Sequence, residues 1–462
     1  MTTPTTGIDF GRRVCQIVST YCLLVLLTPP VVAGQTAAIG ERLTLDNALN
    51  LAVANNRRLQ SARLDVDRAE ANLSAQRTRR LPVFEADVTA SQLLAPVDFA
   101  FPQGAFGTFP GTGPIPAADT KVSAGRKPAY FVQSQLSQPI SQLFKIGLGI
   151  QSAATSREIE RERARSEQLS VINNVRRVYF LILQSESALA ATNAAITMYR
   201  ELDRTLQVRL AQQATLRADS LDVQVHLAQE ELSRTIRLNT IASQKEQLNQ
   251  LLGRDVRTTF DVEDVPPLSI FEVDVAAAQT RALERRPDVR EARLKLQQAD
   301  LDRRMTKADR IPEVSVAVSY VSNLNIDILP ANFATVGVRA TWEPFDWGRR
   351  RYAVAAKTRT VEQARLGVRE VEDRAVLEVN ARFRTLAEKR ALVNVSRMAQ
   401  AATREKLRVK TNQFALQAVL LPDVMQIRAE LANMDDHYQR ALLEFWTAKA
   451  DCELAIGEDM LQ

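Results

Sequence analysis

Carboxylates and arginines gather at two points of this chain where long helical patterns break. One is QQATLRADSLDVQVHLAQ (212–229), which holds Arg217, Asp219 and Asp222. The other is QFALQAVLLPDVMQIRAEL (413–431), which holds Asp423, Gln426 and Arg428. Two kinds of chemistry suit acids in that setting. Asp219 followed by Asp222 reads as a helix N-cap, and Pro422–Asp423 as a first turn whose negative charge meets the positive end of the helix dipole. Grouped carboxylates of this kind also attract cations. Arg217 and Arg428 lie close enough in sequence to pair with them.

Nothing else in the chain suggests catalysis. It shows no phosphate-binding Gly loop, no nucleophile elbow and no paired Cys or His at metal-ligand spacing, so neither an enzyme nor a cofactor is expected. The two histidines, His226 and His437, sit in helical patterns without a recognisable partner and read as solvated or packed. A formal charge of +6 over 462 residues, with Arg and Glu interspersed, gives no basic patch for nucleic acid.

The elements that must position the two breaks are long. Glycine is scarce (16) and aromatics make up 6%, while Ala, Leu, Arg, Glu and Gln fill stretches free of proline; that mix reads as long helices or coiled coil. The N-terminus reads as an export signal. Arg12 and Arg13 precede the apolar run VCQIVSTYCLLVLL, and small residues follow, with a cut expected after Ala33. Cys15 and Cys22 would leave with residues 1–33, and Cys452 alone makes no internal disulfide. No later stretch approaches the ~18–20 apolar residues of a membrane helix. If the exported chain enters a membrane, it does so by strands.

The chain also resembles itself. LQSARLDVDRAEANL (59–73) aligns with VREARLKLQQADLDR (289–303) at an offset of 230, and LPVFEADVTAS (81–91) with IPEVSVAVSY (311–320). Pro139 of LSQPISQLFKIG matches Pro344 of TWEPFDWGRR at an offset of 205, and LNQLLG (248–253) answers CELAIG (452–457). Two units follow, 43–253 and 276–457, joined by 254–275. Each reads helix, strand, loop, strand, very long helix, break, helix. Seams at coiled-coil spacing run through Ile172, Val175, Tyr179, Ile182 and Leu189, and through Val354, Val361, Ala364, Val368, Val371 and Ala375. The second long helix, 349–414, would be roughly 100 Å long.

Strands are expected near 82–94, 129–140, 312–322 and 334–343. Their alternation leaves one apolar side, and each spans about the 9–11 residues of a tilted membrane strand. Val336, Val338, Ala340 and Trp342 would face lipid, with Arg339 in a watery lumen. Four strands cannot close a barrel, so several chains would share one. The Pro- and Gly-rich segment 95–128 then reads as a structureless extracellular loop, and a shorter loop lies near 323–333. The Arg-rich stretches RRLPV (79–83) and WGRRRY (347–352) read as a solvated junction of strand and helix. Trp342, Trp347, Tyr320 and Tyr130 are candidates for the membrane interface. The competing reading is a soluble periplasmic coiled-coil scaffold with a small sheet at one end.

Together LTLDNALNLAVANNRRLQSAR (43–63), ALERRPDVREARLKLQQAD (282–300), IPEVSVAVSY, WEPFDWGRRR and LNQLLG, in order and twice over, resemble the TolC-type outer-membrane efflux proteins across roughly 43–457. The resemblance implies a mainly helical trimer: four strands from each chain in one small membrane barrel, and helices forming a coiled-coil tunnel into the periplasm of a Gram-negative bacterium. It implies an exit duct that docks to a periplasmic adaptor and an inner-membrane RND or ABC pump and catalyses nothing. Residues 253–275 would join a belt partway along the tunnel, a slim one because little follows Gly457. At the narrow tip, Asp423 matches the first of the family's two gate aspartates. Gln426 replaces the second, and Asp222 is the counterpart in the first unit. The family's turn glycine is absent. No substrate follows from these residues.

Overall fold

A computed structural model describes residues 42–92, 94–95, 98–123, 128–212, 216–264, 274–324, 331–416 and 418–458. The expected signal, 1–33 with Cys15 and Cys22, lies outside them. So do 265–273 of the expected belt, 325–330 of the second loop, and 93, 96–97 and 124–127 around the first.

The described residues begin with Arg42–Leu43 (β1), Leu45–Asn55 (α1), Arg57–Thr78 (α2) and Val83–Gln92 (β2). Four short strands follow: Asp98–Phe101 (β3), Thr108–Phe109 (β4), Gly113–Pro114 (β5) and Thr120–Ser123 (β6). Pro128–Pro139 (β7) leads into Leu143–Ala211 (α3), Arg217–Leu252 (α4) and Asp261–Val262 (β8). Then come Val275–Arg285 (α5), Pro287–Ala308 (α6), Glu313–Leu324 (β9), Asn332–Thr341 (β10), Arg349–Ala415 (α7) and Leu421–Ile456 (α8).

Lengths match across the two halves. α1 and α5 have 11 residues each, α2 and α6 have 22, and α4 and α8 have 36. The two longest helices, α3 and α7, have 69 and 67 residues, each roughly 100 Å of rise. Local chemistry sets many of the boundaries. Thr44 caps α1 by accepting from Asn47 N at 3.2 Å, and Asp274 caps α5 by accepting from Ala276 N at 3.0 Å. Pro287 opens α6 at a position where no amide is required.

β10, β9, β7 and β2 form, in that order, one antiparallel sheet whose outer strands are both free on one side within the chain. Each strand leads into or out of a helix, and the helices keep the same order: α2 packs on α3, α3 on α6, and α6 on α7. Further from the sheet, α3 continues against α4 and α8, and α7 against α8. The main core gathers where α3 passes α1, β1 and β8, around Leu43, Leu49, Val175, Tyr179, Ile182, Leu248 and Phe260. Along α3, Ile172, Val175, Tyr179 and Ile182 are buried as the 3–4 spacing requires; beyond them the buried line shifts to Ala188 and Thr192, leaving Leu189 half-buried. A straight helix drifts off a strict heptad, and this seam follows the drift.

The segment 95–128 is not structureless. β3 pairs with β6 and β4 with β5, Asp98 binds Lys121 at 2.8 Å, and Asp119 accepts from Gln103 N at 2.8 Å. Alternation in DFAF and TKVS carried this signal. Gly107 and Gly113, at φ 103 and 72, supply the left-handed turns that a branched residue would resist. Among the described residues no helix is long and apolar enough to cross a membrane.

Candidate functional site

Strand register separates two faces. Phe84, Leu136, Val318 and Val336 lie in one row across all four strands. Val88 beside Val132, Val316 beside Val338 and Val314 beside Ala340 share that face, because neighbours in register point the same way. Val336, apolar and in mid-strand, is 77% exposed. The opposite face is polar through most of its height. Glu85, Gln135, Ser319 and Thr335 form one of its rows, Asp87 and Gln133 begin the next, and Arg339 stands opposite Ser315. Arg339 thus shares a face with two acids that sequence reading passed over. Their signal was the alternation of Phe84, Ala86 and Val88 with Glu85, Asp87 and Thr89 in β2. Tyr130, beside Ala90 and Leu324, sits at the end of the sheet away from the helices. Tyr320, beside Ala334 and Ser134, shares the apolar face and lies opposite the third residue of β10.

At the other end the sheet becomes helix. Trp342 and Trp347 project there, with Trp347 87% exposed and its ring 4.7 Å from that of Phe345. Trp347 and Gly348 both have positive φ, 55 and 88, which reverses the chain before α7. Asp346 fixes that reversal by accepting from Gly348 N at 3.1 Å and Arg350 N at 3.0 Å; the Arg350 amide bond foremost holds its carboxyl below the usual range. Glu343 takes both Arg349 and Arg350 as ion-pair partners. The junction is exposed at Arg79, Arg80, Trp347 and Arg349 and is at the same time a tied joint, which Ser141 completes by donating to Pro312 O at 2.6 Å and accepting from Val314 N at 2.8 Å.

At the far tip the acids divide. The Asp423 carboxylate accepts from Leu420 N at 3.0 Å, closing the first turn of α8. Leucine offers no oxygen in return, so this is half of a capping box. Asp423 and Gln426 line a hollow of about 260 Å³ with Met198, Leu202, Pro422 and Met425. The first break differs from expectation. Leu216, not Asp219, occupies the N-cap of α4; Asp219 falls in the first turn, and Asp222 lies a turn further in and is exposed. Among the described residues of one chain no ion pair joins Arg217 to Asp222 or Arg428 to Asp423; Arg217 is the first residue of α4, Arg428 lies within α8, and both are exposed. His226 stacks on Tyr199 at 5.5 Å, and His437 is exposed. Among the described residues no cluster of His, Cys, Asp or Glu could hold a metal.

The family model described as outer membrane efflux protein matches residues 48–254 and 279–451. The chain belongs to the outer membrane efflux protein family. Its members are outer-membrane proteins of Gram-negative bacteria, not enzymes.

Two curated relatives of the efflux family, both from Pseudomonas putida, are 23% identical over 274 residues: the solvent efflux pump outer membrane protein SrpC and the toluene efflux pump outer membrane protein TtgI. In each case 59% of this chain is matched, and the match spans 54% of the relative's length. The fold agrees with the CmeC outer membrane channel of Campylobacter jejuni at a TM-score of 0.73 and 16% identity, covering 89% of this chain and 85% of that one. It agrees with the open state of the MtrE outer membrane channel of Neisseria gonorrhoeae at 0.69 and 14%, covering 89% and 88%.

In this efflux-family chain the middle of the helical body is held by two matching ties. Asn56 caps α2, accepting from Arg58 N at 2.9 Å and Leu59 N at 3.2 Å, and donates to Leu251 O at 2.7 Å. Arg286 precedes α6 in the same way and donates to Ala455 O at 3.0 Å and to Glu378 at 2.9 Å. Tyr179 adds a third tie. Its hydroxyl lies 2.8 Å from Leu43 O, accepts from Glu263 N at 2.9 Å, and is pushed up to about 12 by burial.

Proposed function

We propose that three copies of this chain close into a single membrane barrel continued by a helical tunnel, a passive exit duct across the outer membrane and periplasm. The observation that carries this reading is the open edge. β2 and β10, ten residues each, lie outermost and pair with no further strand along their outer edges among the described residues, beside an apolar face. Unpaired backbone in lipid costs several kcal/mol for each group, and closure with further copies removes that cost. The helices point the same way. α7 packs on α5, α6 and α8, and its other side leaves Leu366, Leu377, Val395 and Met398 more than half exposed. α4 leaves Leu221, Val225, Leu232 and Ile236 more than half exposed at the opposite margin. A neighbouring copy would cover both.

In this reading the two halves, 43–253 and 276–457, are repeats of one unit with a belt at 254–275. Matching helix lengths and the paired roles of Asn56 and Arg286 support the duplication. The duct has no energy source of its own and works with a periplasmic adaptor and an inner-membrane RND or ABC pump. The relatives named for solvent and toluene efflux make apolar organic molecules the first cargo to test. The tip around Asp423, Gln426, Asp222, Asp219, Arg217 and Arg428 forms the periplasmic entrance, with opening achieved by parting the helices near 210–225 and 413–428.

Extraction tests the reading. A duct requires detergent and sediments as a trimer in it. A soluble periplasmic scaffold would wash free of membranes in salt, and that result would overturn the proposal.

A further inference from the structure

The four-stranded sheet carries few charges between its ends, and their placement is informative. Glu85 and Asp87 lie on one edge strand, β2, and Arg339 on the other, β10. All three point to the polar face, and none has an ion-pair partner among the described residues of its own chain. Resting on the closed barrel proposed above, we infer that Arg339 of one copy forms an ion pair with the Glu85–Asp87 pair of the next, a clasp between subunits on the lumen side of the barrel wall.

Handedness sets which way the edges meet. In a strand of L-residues running upward, a residue whose side chain faces the viewer directs its own N–H and C=O to the right, and the alternate residues direct theirs to the left. Val314 of β9 lies on the apolar face, and its carbonyl accepts from Ile140 N, next to β7, at 2.9 Å. Asn323 lies on the polar face, and its amide donates to Ala331 O, next to β10, at 2.7 Å. Both bonds give the same order. Seen from the lipid with the helices below, the strands run β10, β9, β7, β2 from left to right, and β10 of the next copy follows β2.

Tilt then sets the register. Barrel strands lean up and to the right by about 35–45°, so a row perpendicular to them falls as it runs rightward. Twelve strands about 4.8 Å apart, rising about 3.4 Å per residue, accumulate a stagger of roughly 12–17 residues per circuit, or about 4–6 per copy. The offset must be even, since an odd one would turn the polar face outward. The row Gly337–Ala317–Ser137–Val83 therefore reaches the next copy at Thr341 for an offset of four, or at Glu343 for six. Arg339 of that copy then stands opposite Glu85 or Asp87 respectively, with the other acid on the diagonal and within reach of a long side chain. An offset of four also pairs Val83 with Thr341 and Gln92 with Asn332, matching the two ten-residue strands end to end.

Cross-linking in native membranes tests the clasp. In a Cys452→Ala background, Arg339→Cys with Glu85→Cys or with Asp87→Cys should form disulfide-linked dimers and trimers, because opposed residues place their Cβ atoms about 4.5–5.5 Å apart. Single variants, and Arg339→Cys with Val83→Cys, should not. A trimer on native gels with no link from either acid position overturns the clasp but leaves the duct standing. Absence of any trimer overturns the duct itself. In a second measurement, Arg339→Glu should lower the temperature at which the trimer separates in detergent, and adding Glu85→Arg and Asp87→Arg should restore it. A triple variant no better than the single one overturns the ionic role.

Discussion

The side-chain amide of Asn56 donates to the carbonyl oxygen of Leu251 at 2.7 Å, joining two helices that are 195 residues apart in the chain. With its oxygen capping α2, this one buried side chain closes the start of α2 against the end of α4. Asn56→Ala removes the cap and leaves Leu251 O unpaired, at a cost of about 1–3 kcal/mol. Thermal melting of the purified protein should show the drop, and Asn56→Asp should recover only the capping part.

Glycines near the ends of α4 and α8 should tolerate no side chain. Gly253 has φ 71, and a Cβ there would lie 2.1 Å from Asn55 O. Gly253→Ala combines a left-handed penalty of about 1–2 kcal/mol with a backbone clash and should lower the melting temperature sharply. Gly367, within α7, meets nothing within 4 Å, so Gly367→Ala should gain about 0.5–1 kcal/mol. Opposite shifts in paired melting curves are the expected result.

Asp423 both caps a helix and, in the proposed duct, rings its entrance. Asp423→Asn keeps an acceptor for Leu420 N but removes the charge. In planar bilayers it should weaken cation selectivity with little change in melting temperature. Asp423→Ala should also cost about 0.5–1 kcal/mol. Unchanged selectivity in both variants would confine Asp423 to its cap.

Cys452 is buried, and burial pushes its thiol up to about 12. Thiolate is the reactive form, so a maleimide should leave the folded mature protein unlabelled at pH 8 and label it once denatured.

Acid should act through Asp288. Burial raises its pKa, but the hydrogen bond and charge of Arg286 outweigh this and hold it below the ordinary 3.8. A carboxylate depressed in the folded state stabilises the fold above its unfolded pKa and loses that contribution as pH falls through the folded value. Melting temperature should therefore fall below about pH 4, and Asp288→Asn should flatten that limb of the curve.

Much of this protein could be read along the chain because its signals are local. Period-2 alternation marks β2, β7, β9 and β10; uninterrupted 3–4 spacing marks α3 and α7; proline and glycine mark the joints. The polarity of Arg339 and the apolar side of Val336 and Val338 follow from alternation alone, since successive strand residues face opposite ways. Contacts that depend on distant residues were not legible. Nothing near Asp346 in sequence announced that it would pin two amides of a turn with Trp347 in a left-handed conformation. Asp219 looked like a cap, yet the helix begins earlier, at Arg217, and only the path of the chain between α3 and α4 decides that. Sequence spacing suggested ion pairs for Arg217 and Arg428, and within one chain the described residues show none to Asp222 or Asp423. Above all, alternation cannot say which strands lie at the edges. Pairing of β7 with β9 leaves β2 and β10 outermost, and with them the charges of Glu85, Asp87 and Arg339, because hydrogen-bond partners in a sheet are chosen by the whole fold and not by any one strand.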